Sequence, residues 1–272
     1  MSKNSAGVEV FRGFDIKYPE YSVITPHTGH SYTIRSLKVG EEETLKASLL
    51  TPNNLTDHLN KIIFASLVKK PKEIETMEDF LIKNTIRDRD ALMYGLYHVT
   101  YKDIHNYDVT CSDCEHVNAI KIKFGESFSM VAWKGPESIL EKEVEVKLEI
   151  AENITAIIKQ PTLFEESKLL EDLAFSSDEE RDKQMDLLAI KRFELDIGTS
   201  VDKKDHIKDR GNIKQIYNDL PATDRKLIDK AYSDNFGKYG VSLKTIVKCA
   251  KCQEETETEI DLVQQFFRSM YE

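Results

Sequence analysis

Every cysteine of the chain lies in one of two short stretches, Thr110-Cys111-Ser112-Asp113-Cys114 and Lys248-Cys249-Ala250-Lys251-Cys252. Each Cys-x-x-Cys falls between strand-like runs: Tyr107 to Thr110 and Ala119 to Phe124 around the first, Leu243 to Val247 and Thr256 to Ile260 around the second. Two cysteines at the tip of a hairpin can turn both thiolates toward one metal ion, and two such tips complete a tetrahedral four-sulfur zinc site. Cys111, Cys114, Cys249 and Cys252 are therefore the expected ligands of one structural zinc per chain. Two separate redox dithiols, or four unliganded thiols, are the plainer readings of the same residues.

Residues 115–248 separate the two pairs, whereas ordinary zinc ribbons place about two dozen residues between their knuckles. Closing so long a loop costs about 4–5 kcal/mol of chain entropy. A structural zinc supplies on the order of 10–16 kcal/mol, so the metal term wins, and the ion would clamp two distant halves of the chain. A catalytic zinc keeps one position open. Four thiolates leave none, so the site reads as structural.

The chain has 272 residues, 40% hydrophobic and 32% charged. That suits one large domain or two small ones and argues against wholesale disorder. Its net charge of −10 weighs against a general nucleic-acid or anionic-membrane binder, since both need clustered Lys and Arg. No apolar run approaches the ~20 residues of a membrane span. Met1 to Gly7 lacks the apolar centre of a signal peptide, which predicts a reducing cytoplasm and thiolate–metal chemistry over disulfides.

An α+β organisation follows from the pattern along the chain. Residues 1–13 read as a flexible arm. Tyr21 to Thr25 and Tyr32 to Ser36 flank Pro26-His27-Thr28-Gly29-His30 and read as a hairpin. Thr56 to Val68 places Leu59, Ile62, Ile63 and Leu67 on one helical face, and Pro71 stops it. Thr76-x-x-Asp79 and Thr85-x-x-Asp88 are capping boxes opening two more helices, the second leading into the first cysteine hairpin. The pattern then begins again. Val144 to Ile150 alternates, Asn153 marks a turn, and Thr155 to Lys159 returns. Helices are expected at about 165–173 and 179–195. Asp224-Arg225-Lys226-Leu227-Ile228 then stands where Asp88-Arg89-Asp90-Ala91-Leu92 stands earlier.

Ile158-Lys159-Gln160 before Phe164-Glu165-Glu166 likewise matches Ile34-Arg35-Ser36 before Gly40-Glu41-Glu42. We read two degenerate repeats, 14–135 and 136–272, each a hairpin plus helices plus a zinc knuckle, joined at one four-cysteine site near a pseudo-twofold axis. Ser200 to Asn212 reads as an exposed loop, and Ile260 to Met270 as a closing helix packed on its own domain.

Other chemistry-bearing residues have bland readings. His27 and His30 sit in a turn and are expected at the surface. His116 follows Cys114 closely, but four cysteines already fill a coordination sphere. His98 and His105 are expected beside aromatic rings. Asp88-Arg89-Asp90 opens a helix, where a carboxylate caps free N–H groups. The run Asp178 to Asp186 reads as a solvated helix face. Trp133, the one tryptophan, is either core or an interface anchor. No G-x-G-x-x-G, Walker or G-x-S-x-G pattern occurs, so the chain offers no good enzyme hypothesis.

Several of these residues together carry a resemblance. Tyr18-Pro19-Glu20-Tyr21-x-Val23-Ile24-Thr25-Pro26, Tyr32-Thr33-Ile34-Arg35-Ser36-Leu37, Arg87-Asp88-Arg89-Asp90-Ala91-Leu92-x-Tyr94-Gly95-Leu96-Tyr97, the first Cys-x-x-Cys and Ile158-Lys159-Gln160-Pro161-Thr162 resemble the baseplate hub proteins of T-even-type contractile-tailed bacteriophages, over roughly residues 14–270. The resemblance implies a non-enzymatic structural or assembly role, with other phage tail baseplate or hub proteins as partners. It implies a place in the virion tail baseplate and in the host cytoplasm during assembly. The amino-terminal arm, the first hairpin, the Trp133 loop and the terminal helix are the expected contact surfaces. Two other classes compete: a zinc-ribbon nucleic-acid-binding regulator, which needs a basic face, and a dithiol oxidoreductase, which needs one exposed reactive cysteine per pair.

Overall fold

A computed structural model describes residues 16–49, 55–101, 105–122, 128–196, 204–260 and 262–270. The arm expected over 1–13 lies outside them.

The chain opens with an antiparallel hairpin, β1 (Glu20–Ile24) and β2 (Ser31–Arg35), in register from Glu20↔Arg35 to Ile24↔Ser31. Alternation puts Tyr32 and Ile34 into the core from β2. Helices α1 (Val39–Ser48) and α2 (Leu55–Ser66) follow, then a three-residue strand β3 (Leu67–Lys69) on the free edge of β2. Helix α3 (Met77–Ile82) begins on the expected box, with Asp79 N–H donating to Thr76 Oγ1 at 3.1 Å. Helix α4 (Ile86–Tyr101) is buried along most of its length. Gly95 permits this: a Cβ there would lie 2.4 Å from Val23 Cγ2, so only glycine lets the helix press so closely on the hairpin.

Helix α4 leads to a two-stranded hairpin, β4 (His105–Thr110) and β5 (Val117–Ile122), and then to β6 (Phe128–Val131). A second hairpin, β7 (Glu143–Lys147) and β8 (Ile154–Lys159), precedes α5 (Leu163–Asp172) and α6 (Asp178–Asp186). Strands β9 (Ile190–Asp196) and β10 (Lys204–Ile207) complete a sheet ordered β10-β9-β8-β7. Helices α7 (Arg210–Asp219) and α8 (Ala222–Tyr232) then lead to β11 (Gly240–Lys248) and β12 (Glu255–Glu259), and the chain closes on α9 (Leu262–Ser269). The order strand, strand, helix, helix, strand, helix, helix thus precedes each cysteine hairpin, with β10 an added edge in the later part.

Two hydrophobic clusters hold these elements. The first gathers Tyr32, Ile34, Ile63, Phe80 and the α4 face, and the second gathers Phe193, Ile213, Ile228 and Phe236. Chain order does not respect the division. Leu163 and the residues Phe266, Phe267 and Met270 join the first cluster. Helix α9 lies against α4, with the Phe266 ring 6.1 Å from that of Tyr97, and Ser269 Oγ 3.0 Å from Tyr97 Oη. Phe266, Phe267 and Met270 of this terminal segment are thus part of the core of the chain.

Three local expectations need correction. The helix expected over 56–68 ends at Ser66, because Leu67 and Lys69 pair with Ile34 and Thr33 on the open edge of β2. The helix expected to reach 195 ends at Asp186, and Ile190–Asp196 pairs with β8, burying Ile190 and Phe193. Sheet pairing there outweighs helical periodicity. The loop expected over 200–212 contains β10 and the start of α7, which Asp209 caps through Asn212 N–H at 3.0 Å.

Candidate metal centre

The two Cys-x-x-Cys segments fold into the same local structure. In the first, Cys111 N–H donates to His116 O at 2.9 Å and Glu115 N–H donates to Cys111 O at 3.1 Å. In the second, Cys249 N–H donates to Glu254 O at 2.8 Å and Gln253 N–H donates to Cys249 O at 3.0 Å. The chain must reverse right after each second cysteine, and it does so with positive φ at Glu115 (57°) and Gln253 (67°). These are left-handed conformations that glycine ordinarily takes. Strand pairing on either side, Thr110↔Val117 and Lys248↔Glu255, fixes each tip.

The four sulfurs converge. Cys111 Sγ lies 3.6 Å from Cys252 Sγ, and Cys114 Sγ lies 3.6 Å from Cys249 Sγ. All four lie within 4.8 Å of one another. These distances are far beyond the ~2.05 Å of a disulfide. A tetrahedral ion with metal–sulfur bonds of about 2.3 Å separates its sulfurs by roughly 3.8 Å, so the cluster fits such an ion without rearrangement. Pairing is reciprocal, since the first cysteine of each knuckle faces the second of the other. Cys111 and Cys249 are buried, while Cys114 and Cys252 are more open.

Local dipoles prepare the thiolates. The backbone N–H groups of Cys252 and Lys251 draw the Cys249 thiol down to about 6, and those of Cys114 and Asp113 lower Cys111. The backbone at Glu254 favours ionisation of Cys252, but burial and the sulfurs of Cys114, Cys111 and Cys249 push it up to about 12. Without a cation the four sulfurs cannot all carry charge. A metal ion relieves that repulsion, which couples metal binding to release of the remaining thiol protons.

Asn118, which the sequence pattern does not single out, fastens one knuckle to the other. Its side chain is buried, with Oδ1 accepting from Ala250 N–H at 2.9 Å. Its Nδ2 donates to His116 O at 3.2 Å and to Val109 O at 3.3 Å. Asparagine in a strand reads as a turn former, and only the approach of the second knuckle reveals this role. His116 itself is exposed, and its carbonyl, not its ring, serves the knuckle.

Two aspartates hold the hairpin turns. Asp88, the third residue of α4, accepts from His27 N–H at 2.9 Å and Thr28 N–H at 3.3 Å through Oδ1. Its Oδ2 accepts from Thr85 N–H at 3.0 Å, the capping box expected. Asp224, the third residue of α8, accepts from Glu149 N–H (2.9 Å), Ile150 N–H (3.1 Å) and Ala151 N–H (2.9 Å). Burial opposes ionisation of Asp224, but these three donors overcome it and hold its carboxyl below the ordinary value. Ion pairs also match: Arg35 with Glu41 at 2.6 Å and Lys159 with Glu165 at 2.5 Å, each glutamate closing the first turn of its helix. Next along α4, Arg89 crosses to the later part of the chain and pairs bidentately with Glu166, at 2.5 and 2.9 Å.

His27 departs from its expected exposure. It is buried, with Nδ1 3.0 Å from Thr85 Oγ1 and its ring 6.4 Å from that of Tyr239. The first hairpin turn is thereby covered, and Trp133 N–H donates to Pro26 O at 2.7 Å beside it. Trp133 stacks edge-on to Tyr239 at 5.1 Å, under the Lys142 ammonium at 4.7 Å. His27 is covered and Trp133 half-buried, while Gly29, Lys134 and Pro136 are exposed. His98 sits between Tyr21 and Tyr94 as expected, and α6 coincides with the acidic run from Asp178. No helix among the described residues is long and apolar enough to cross a membrane.

Fold and site define an α+β protein whose distant cysteine hairpins meet in a four-thiolate cluster able to take a metal ion. The family model described as T4 bacteriophage base plate protein matches residues 18–268, and the chain belongs to that family. It is a phage baseplate protein, with other tail proteins as its partners. Comparisons with curated proteins and with solved structures gave no match.

Proposed function

We propose that this protein is a non-enzymatic component or assembly factor of the central hub of a contractile-tailed phage baseplate, present in host cytoplasm during assembly. Cys111, Cys114, Cys249 and Cys252 hold one structural zinc per chain. Two degenerate halves, 14–135 and 136–272, form one zinc-linked unit. The observation that carries the reading is the meeting of two like knuckles from distant parts of the chain, with sulfurs 3.6 Å apart in reciprocal pairs. The matched aspartate clamps at Asp88 and Asp224 and the matched Arg35–Glu41 and Lys159–Glu165 pairs support the duplication. A four-sulfur sphere leaves no open position for substrate, which favours a structural role.

The hub reading is tested by tagging the protein in infected cells and identifying what co-purifies. Central hub proteins are expected. Recovery of peripheral baseplate proteins alone would replace that reading, as would salt-sensitive retention on DNA or RNA. Metal analysis of the purified chain tests the zinc independently. One zinc per chain, lost in Cys249→Ser, is expected, and a metal-free chain of equal thermal stability would remove it.

A further inference from the structure

The two knuckles face each other reciprocally, but the bodies of the two halves do not. One contact between the bodies places α5 of the later part against α4 of the earlier part. Leu163, the first residue of α5, is 0% exposed within the first cluster, and its N–H donates to Asn84 O at 2.9 Å. Glu166, three residues on, pairs with Arg89 of α4. The counterparts of these residues follow from helix position. Val39 is the first residue of α1, and Glu42 the fourth. Arg225 is the fourth residue of α8, as Arg89 is of α4.

None of the three counterparts is satisfied as its mate is. Val39 is 73% exposed. Glu42 is met one turn along by Lys46 at 3.0 Å, and no arginine pairs with it among the described residues. Among the described residues, Arg225 Nε is closed to solvent and has no hydrogen-bond partner. A shielded guanidinium nitrogen without an acceptor is costly. Asp224, the residue before Arg225, clamps a turn that presents Ile150, 61% exposed. The corresponding turn on the first hairpin is covered, with His27 2% exposed.

We propose that a second copy of this chain completes the unmatched contact head to tail. Val39 and Glu42 of one copy dock on Arg225 and the Ile150 turn of the next, as Leu163 and Glu166 dock on Arg89 within the chain. The occupant is a second copy because each chain carries both halves of the missing pair, one acidic with an apolar knob and one basic with an apolar rim. A contact of this kind uses two different patches, so it builds rings or open chains rather than closing in a twofold dimer. The inference rests on the duplicated-halves reading, not on the zinc or on the hub.

The test is the mass of the purified full-length chain in solution, followed by sedimentation over a wide concentration range. Concentration-dependent assembly is expected, weakened about tenfold or more by Arg225→Glu and by Glu42→Arg. An equimolar mixture of the two variants should associate again, because every joint between unlike variants brings opposite charges together, whereas joints between like variants repel. Thermal melts and zinc content of both variants should equal those of the parent, which separates loss of the interface from loss of the fold. A parent chain that stays monomeric throughout, or assembly indifferent to both reversals, overturns the proposal and leaves the metal and hub readings standing.

Discussion

Glu115 and Gln253 hold the same left-handed backbone, φ 57° and 67°, each directly after the second cysteine of its knuckle. A side chain there is strained by about 1 kcal/mol relative to glycine. Glu115→Gly and Gln253→Gly should each stabilise the folded chain by about that amount. Chemical denaturation of the metal-loaded protein measures it. A loss of stability in both variants would mean that these side chains make contacts worth more than the strain.

Asn118 Oδ1 accepts from Ala250 N–H across the two knuckles. Asn118→Ala removes the acceptor of Ala250 N–H and the Nδ2 donor to Val109 O and His116 O. The expected destabilisation is about 1–3 kcal/mol, together with faster metal release to a chelator. Unchanged release kinetics would show that the sulfurs alone set the geometry.

The Arg89–Glu166 pair is buried between the two parts of the chain. Burial opposes the charge on Arg89, and Glu166 more than restores it, so the guanidinium stays above its ordinary value. Glu166→Gln strands that charge and should cost about 3–5 kcal/mol. Replacing both residues with apolar ones of similar volume should cost much less, because no charge is then left unpaired. Equilibrium unfolding of the single and double variants separates the two cases.

His27 makes stability depend on pH. Burial lowers its pKa from 6.5, the nearby Asp88 opposes this in part, and Arg87 reinforces it. The unfolded chain therefore takes a proton near that value that the folded chain refuses. The contribution is full above about 6.5 and declines as the pH falls below it. Denaturant midpoints at pH 7.5 and 5.5 should differ in the parent and converge in His27→Asn, where nothing titrates at that position.

Much of this was readable from local pattern. Both cysteine pairs, the capping boxes at Thr76 and Thr85, and the hairpins at Tyr21 and Val144 announce themselves within a few residues, because caps, turns and alternation are short-range. The likeness of Asp88-Arg89 to Asp224-Arg225 was visible too, though not its consequence. Each aspartate reaches back to a hairpin turn some sixty or more residues earlier. Misreadings fell where a neighbouring element competed. Leu67 and Ile190 became strand because β2 and β8 offered open edges, and His27 became core because Tyr239 and Trp133 closed over its turn.

By itself the sequence determined that this is an acidic α+β chain with two cysteine hairpins, since composition and short-range pattern suffice for that, while the baseplate family rested on its resemblance to known sequences. The tertiary structure alone decided that the hairpins meet, that Leu163 and α9 enter a core built mainly by earlier residues, and that Arg89 is matched while Arg225 is not. The reason is that burial and charge pairing depend on which surfaces arrive at the same point in space, and neither spacing nor residue type along one strand or helix encodes that arrival.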